Sequence, residues 1–219
     1  MPRRKSSAIP KPIKPVRSYE PEFALADDSH WFVYLFALTD CSGFKVGFSC
    51  NPLQRISTFS RRYFERFDLM QSMLCRVPDC DAARALESEL KSTLAAYQAP
   101  APLWVPLEAG GHTEWFSAVY FSDAEARARS RLRADSIRPA FEQFAADLLR
   151  AKSSFEAWAV HRAQQAADIR QFATRGYAVR DRSSGLRDWL GAYRYFDIPL
   201  FVDDPEVGRI IEQYALLAD

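Results

Sequence analysis

Cysteine and histidine are scarce in this sequence, four of one and three of the other in 219 residues. Cys41, Cys50, Cys75 and Cys80 form no Cys-x-x-Cys pair, and His30, His112 and His161 are widely separated. Closely spaced thiolates or imidazoles are what a structural zinc site needs, so none is expected here. The cysteines read as reduced thiols of a cytoplasmic protein. Long apolar runs are also missing. The longest, Trp31 to Leu38, has the length of a buried strand, whereas a membrane span needs about 20 residues. Arg3, Arg4 and Lys5 are followed by Pro10, Lys11, Pro12, Lys14 and Pro15, where a secretory signal would need an apolar stretch. A large excess of positive charge is absent too, the formal net charge being +1.

What is present fits an ordinary globular chain. Hydrophobic residues make up 48% and charged residues 26%, enough apolar surface for a core with an appended subdomain. The charge is unevenly placed. Residues 1–17 carry six Lys/Arg and no acid, and residues 18–30 carry four acids and no base. Residues 31–122 hold eight bases against nine acids, and the remainder is balanced. Residues 1–29 are therefore expected to be a basic, proline-rich disordered arm, suited equally to touching nucleic acid and to solubilising the chain.

Residues 30–122 read as one domain. Trp31 to Leu38 is aromatic and β-branched, and Asp40, Ser42 and Gly43 mark a turn before a second strand, Phe44 to Phe48. Asn51-Pro52 is a helix start, an N-cap followed by proline in the first turn, and the helix is expected to run to about Phe64. Phe67 to Val77 suits a third strand. Asp79 caps a helix in which Ala82, Leu86, Leu90 and Leu94 repeat at the spacing of a buried face. Pro100, Pro102 and Pro106 make a loop, Gly110-Gly111 a tight turn, and Thr113 to Phe121 a final strand. The expected class is α+β, a small mixed or antiparallel sheet flanked by helices.

Residues 123–219 read as a mainly helical subdomain. Ile137, Phe141, Phe144 and Leu148 would share one helical face, and the Gly, Ser and Asp turns after Gly176 leave room for a short strand pair. Arg127, Arg129, Arg131 and Arg133 fall two apart, which points them to different sides of a helix, and with Asp123, Glu125 and Asp135 in the same stretch they favour a solvated face over a basic patch. Trp189, Tyr193 and Tyr195 could stack bases, but packing in a small subdomain is the commoner use of such rings.

Four segments together carry a resemblance. Val33-Tyr34-Leu35 is followed by Lys45-Val46-Gly47, and the run from Lys45 to Arg55 contains Asn51-Pro52. Leu86-Glu87-Ser88-Glu89-Leu90 and Gly111-His112-Thr113-Glu114-Trp115-Phe116 come next, in order. This arrangement, over about residues 31–121, resembles the phage-type branch of the GIY-YIG nuclease superfamily. The resemblance implies a metal-dependent endonuclease that hydrolyses phosphodiester bonds in DNA. Glu87 would bind Mg²⁺ or Mn²⁺, hard cations that take carboxylate oxygen and keep several waters. Arg55 would hold phosphate oxygens with its planar fork, and Tyr34 would position or deprotonate the attacking water. Lys45 stands at the tyrosine of the second signature, Lys91 where that branch often has histidine, and the first signature lacks its glycine. Lys45, Arg55, Arg61, Arg62 and Lys91 are the candidate DNA contacts. The plainer account of Glu87 and Lys91, four apart on a helix, is an ion pair worth about 0.3–0.5 kcal/mol. A catalytically silent module that binds DNA or a protein partner, the latter through the C-terminal region, is the alternative. If the nuclease reading holds, the functional atoms should converge in space.

Overall fold

In the computed structural model, residues 30–172 and 184–216 are described; the arm expected over residues 1–29 lies outside them. Trp31–Leu38 forms the central strand β1. Its side chains alternate between two cores: Tyr34, Phe36 and Leu38 enter one, Val33, Leu35 and Ala37 the other. A strand covered on both faces has no need of polar residues, which explains the unbroken apolar run.

Strand β2, Gly43–Ser49, pairs antiparallel with β1 and sets Tyr34 opposite Gly47 and Phe36 opposite Lys45. The turn between them is held by Asp40 Oδ1, which accepts from the Ser42 amide at 2.9 Å and its hydroxyl at 2.6 Å. Helix α1, Pro52–Phe59, starts where Asn51 Oδ1 accepts from the Gln54 amide at 2.9 Å. It stops at Ser60 rather than near Phe64. The Ser57 and Thr58 hydroxyls bond back to the Gln54 and Arg55 carbonyls, both at 2.7 Å, and so compete with the helical ladder. A single turn, α2 at Tyr63–Arg66, leads into β3, Phe67–Val77.

Asp79 caps α3, Cys80–Thr93, accepting from the Ala82 amide at 2.8 Å, and the helix buries Ala83, Leu86, Glu87 and Leu90. Two short strands follow, β4 (Gln98–Ala99) and β5 (Trp115–Ser117). The final strand is thus three residues long instead of spanning Thr113 to Phe121. Ser117 already lies opposite Gly43, the first residue of β2, so a longer strand would have no partner there. The chain turns through Ala118–Tyr120 into α4, Phe121–Arg131.

Ile137 is not on the helical face expected of it. Ile137–Pro139 is a sixth strand, β6, paired antiparallel with β3. Proline holds the residue before it in extended backbone, which fits this edge strand. The long helix α5, Ala140–Phe172, then carries Phe144 and Leu148 into the core beneath Tyr34 and Phe36. Helices α6, Ser184–Tyr195, and α7, Pro205–Leu216, complete the fold, with no strand pair among the described residues from 184 to 216.

The class is α+β, as expected, with a six-stranded sheet in the order β4-β5-β2-β1-β3-β6, antiparallel at every pairing. Helices α1, α2, α5 and α6 cover one face; α3 and α4 cover the other. Among the described residues no helix is long and apolar enough to cross a membrane.

The ring of Phe144 lies 6.1 Å from that of Phe36 and 6.0 Å from that of Tyr63, between α5 and the sheet. Phe144→Ala is expected to cost about 3–5 kcal/mol in urea denaturation. Because α5 shares its core with the sheet, the variant should still unfold in a single transition.

Candidate functional site

Tyr34 is placed by the middle of β1, where its ring stacks on Phe36 with centroids 4.2 Å apart and is buried. The partner residue across the hairpin has to be glycine. A methyl group at Gly47 would come within 2.5 Å of Tyr34 Cζ. Burial pushes the Tyr34 hydroxyl up to about 12, against the opposing pull of Arg55, so the phenol stays protonated at neutral pH.

Arg55 reaches this hydroxyl from α1, its Nε donating to Tyr34 Oη at 3.4 Å. The same guanidinium donates from Nη1 to the Ala109 carbonyl at 2.7 Å and lies over the Phe59 ring, 4.5 Å from its centroid. The Ala109 carbonyl is presented by the turn before Gly110 and Gly111, both in the left-handed region with φ of 67° and 69°.

Lys45, on the same face of β2, is wholly buried. Its Nζ donates to Glu114 Oε2 at 2.7 Å and to the Val46 carbonyl at 3.2 Å. The Phe59 and Trp115 rings flank it at 5.5 and 5.7 Å. Burial draws Lys45 down to about 8, Glu114 opposing. Glu114 then reaches a second ammonium, Lys91 Nζ, 3.3 Å from its Oε1, and Lys91 sits 3.1 Å from Glu87 Oε2. Burial works against the Lys91 charge, but Glu87 and Glu114 outweigh it and hold Lys91 above the ordinary lysine value. Burial likewise opposes the Glu114 charge and is outweighed by Lys45 and Lys91, which keep that carboxylate below its usual range.

Charges alternate along the chain Lys45, Glu114, Lys91, Glu87. Tyr34 and Arg55 join this group electrostatically: both carboxylates act on Tyr34, and Arg55 acts on Lys45. Strands β1 and β2, helices α1 and α3 and the turn before β5 thus bring five of the candidate residues, Tyr34, Lys45, Arg55, Glu87 and Lys91, together. The Glu87–Lys91 pair expected from spacing is present, yet it is one link of a longer network rather than a solvated pair. That Glu114 bridges two lysines is decided by the fold, because sequence gives no account of which cations the turn before β5 would face.

Arg61 and Arg62 lie at the turn after α1. Arg61 lines a cleft between α1 and the start of α6, and Arg62 Nε donates to Asp188 Oδ1 of α6 at 3.0 Å. Arg127 and Arg131 both pair with Glu89, and Arg129 with Glu125, so the arginines of α4 belong to ion pairs with α3 and α4. Tyr193 is buried and donates to the Leu148 carbonyl at 3.0 Å, a packing role.

Residues 31–134 match the T5orf172 domain. It is a phage-associated, nuclease-like domain related to GIY-YIG and HNH-type endonucleases. The T5orf172 match begins with β1 and ends beyond α4, so it contains Tyr34, Lys45, Arg55, Glu87, Lys91 and Glu114. No curated protein and no solved structure matches the chain.

For a divalent cation the donor set of the T5orf172 region is thin, and no group of three or more His, Cys, Asp or Glu suited to a metal occurs among the described residues. Glu87 is the carboxylate of α3 in this set, with its Oε2 3.1 Å from Lys91 Nζ. One carboxylate oxygen, completed by waters and a substrate phosphate, fits a hard cation.

Two consequences are testable. Gly47→Ala should destabilise the protein by about 1–3 kcal/mol, as overpacking does, since the Tyr34 ring has no room to retreat. Lys45 has a folded value of about 8, below that of an unfolded lysine, so between these values the unfolded chain binds more protons. The stability of the wild type minus that of Lys45→Met should therefore rise from pH 8 to pH 10 in urea titrations. A flat or falling difference would show that burial does not depress Lys45.

Proposed function

We propose that residues 31–134 act as a metal-dependent endonuclease on DNA. The observation that carries this reading is the convergence of Tyr34, Lys45, Arg55, Glu87 and Lys91 from separate elements into one linked set. The T5orf172 match supports a nuclease-like, DNA-interacting role for the same residues.

In this reading Tyr34, protonated at neutral pH, orients the attacking water through its hydroxyl rather than removing a proton. Arg55 is aimed by Ala109 and Phe59 and offers its remaining N–H groups to phosphate oxygens as charge builds in the transition state. Glu87 is the residue that would hold Mg²⁺ or Mn²⁺, through carboxylate oxygen. The chemistry supplied by that ion when bound is polarisation of the scissile phosphate and stabilisation of the leaving oxygen. Lys45 and Lys91 add fixed positive charge behind the phosphate, with Glu114 locking both in position.

One observation favours a second reading. The alternating series of Lys45, Glu114, Lys91 and Glu87 leaves each charge paired, which suits a module that binds DNA without cutting it.

Cleavage of supercoiled plasmid with Mg²⁺ or Mn²⁺ separates the two. Metal-dependent nicking by the wild type should be lost in Glu87→Gln and lowered about 100-fold or more in Tyr34→Phe and Arg55→Ala. DNA binding by Glu87→Gln should persist. No cutting by the wild type, with salt-dependent binding intact, would establish the silent module.

A further inference from the structure

A second feature lies on the same sheet face as Tyr34. A cavity of about 210 Å³ opens between β1, β3, β6 and the first turns of α5. Phe32 and Leu74 line it. Phe32 is two residues from Tyr34, about 7 Å along β1, and Leu74 is the cross-strand neighbour of Tyr34.

Three arginines surround this apolar floor. Strand register sets Arg76 opposite Phe32 and Arg138 opposite Leu74, so both leave the sheet on the cavity side, and Arg150 comes from α5. The one carboxylate in the lining, Asp147, is buried and already engaged by Arg150 and by Gln143 Nε2 at 2.9 Å. Arg76 and Arg138, by contrast, have no carboxylate within ion-pairing distance among the described residues. Two guanidiniums outside any ion pair, beside a partly open cavity floored by Phe32 and Leu74, match a phosphate ester: phosphate oxygens for the forks, sugar carbons for Phe32 and Leu74.

We infer that this cavity holds a phosphate of the nucleic-acid strand to one side of the bond at Tyr34, gripped by Arg76 and Arg138. The inference rests on the nucleic-acid reading of the Tyr34 site. It also gives β6 and α5, which lie beyond the T5orf172 match, a part in substrate binding.

The test is the binding of a labelled oligothymidylate by the full chain across a salt series. Compared are the wild type, the double variant Arg76→Gln with Arg138→Gln, and the double variant Arg76→Lys with Arg138→Lys. The glutamine pair should weaken binding about tenfold and make the salt slope shallower by about 0.7 for each phosphate left without its arginine. The lysine pair, which keeps charge but not the fork, should retain the wild-type slope, and all three proteins should melt alike. The cleavage reading is judged separately, by metal-dependent nicking of plasmid by the wild type, so its failure and the failure of this one are told apart. Wild-type affinity and slope in the glutamine pair would overturn the assignment. Thymidine monophosphate bound as tightly as the oligonucleotide would also overturn it, making the cavity a free-nucleotide site.

Discussion

The buried ammonium of Lys45 sets the terms for the rest of the structure. A charge with no exposure is costly unless it is paired and hydrogen-bonded, and removing one partner leaves the other stranded. Glu114 supplies the pairing at 2.7 Å, and it is brought there by the start of β5, whose Glu114 carbonyl accepts from the Val46 amide at 3.0 Å. The preceding turn must pass close by. A side chain at Gly111 would start 2.8 Å from Lys45 Nζ and 2.7 Å from Glu114 Oε2, and the backbone there has a φ that glycine tolerates best. Strand pairing, the Gly110-Gly111 turn and the ion pair therefore stand or fall together.

From that pair the network spreads to α3 through Lys91 and Glu87, and the aromatic packing spreads to α1. Phe59 lies beside both Lys45 and Arg55, so the ring that screens the buried lysine also aims the guanidinium. Tyr34 is fixed by the same economy of parts: Gly47 beneath it, Phe36 stacked on it, Arg55 at its hydroxyl. The polar groups of β1, β2 and α1 meet because one apolar layer holds those elements, and α3, packed on the other face of the sheet, joins them through Lys91 and Glu87. That layer extends past the T5orf172 match. Phe144, Leu148, Phe155 and Tyr193, from α5 and α6, belong to the core that contains Tyr34 and Trp115. Residues 137–172 complete the sheet and cover it.

The local signals in the chain were strong where chemistry is local. Asn51-Pro52 and Asp79 start helices because an N-cap acts within four residues. The strand at 31–38 was visible from its aromatic and β-branched content, and that at 67–77 from an imperfect alternation of apolar residues. The misread boundaries have non-local causes. Strand β5 ends at Ser117 because β2 begins at Gly43, a fact of pairing. Ile137 joins β3 instead of α5, although Pro139 was the one local hint of extended backbone there.

What the sequence by itself determined was the class of fold, the positions of β1, β2, β3 and α3, and the identity of the polar residues worth watching. Periodicity, caps and turn residues are read over a few positions, and the four-part pattern from Tyr34 to Glu114 needs only order. What the tertiary structure decided was which charges meet. Lys45 and Glu114 are 69 residues apart, Lys91 and Glu114 are 23 apart, and Arg76 and Arg138 come to one cavity only through the register of β3 with β1 and β6. Ion pairing and burial depend on distance in space. No local pattern encodes that distance until the sheet has closed.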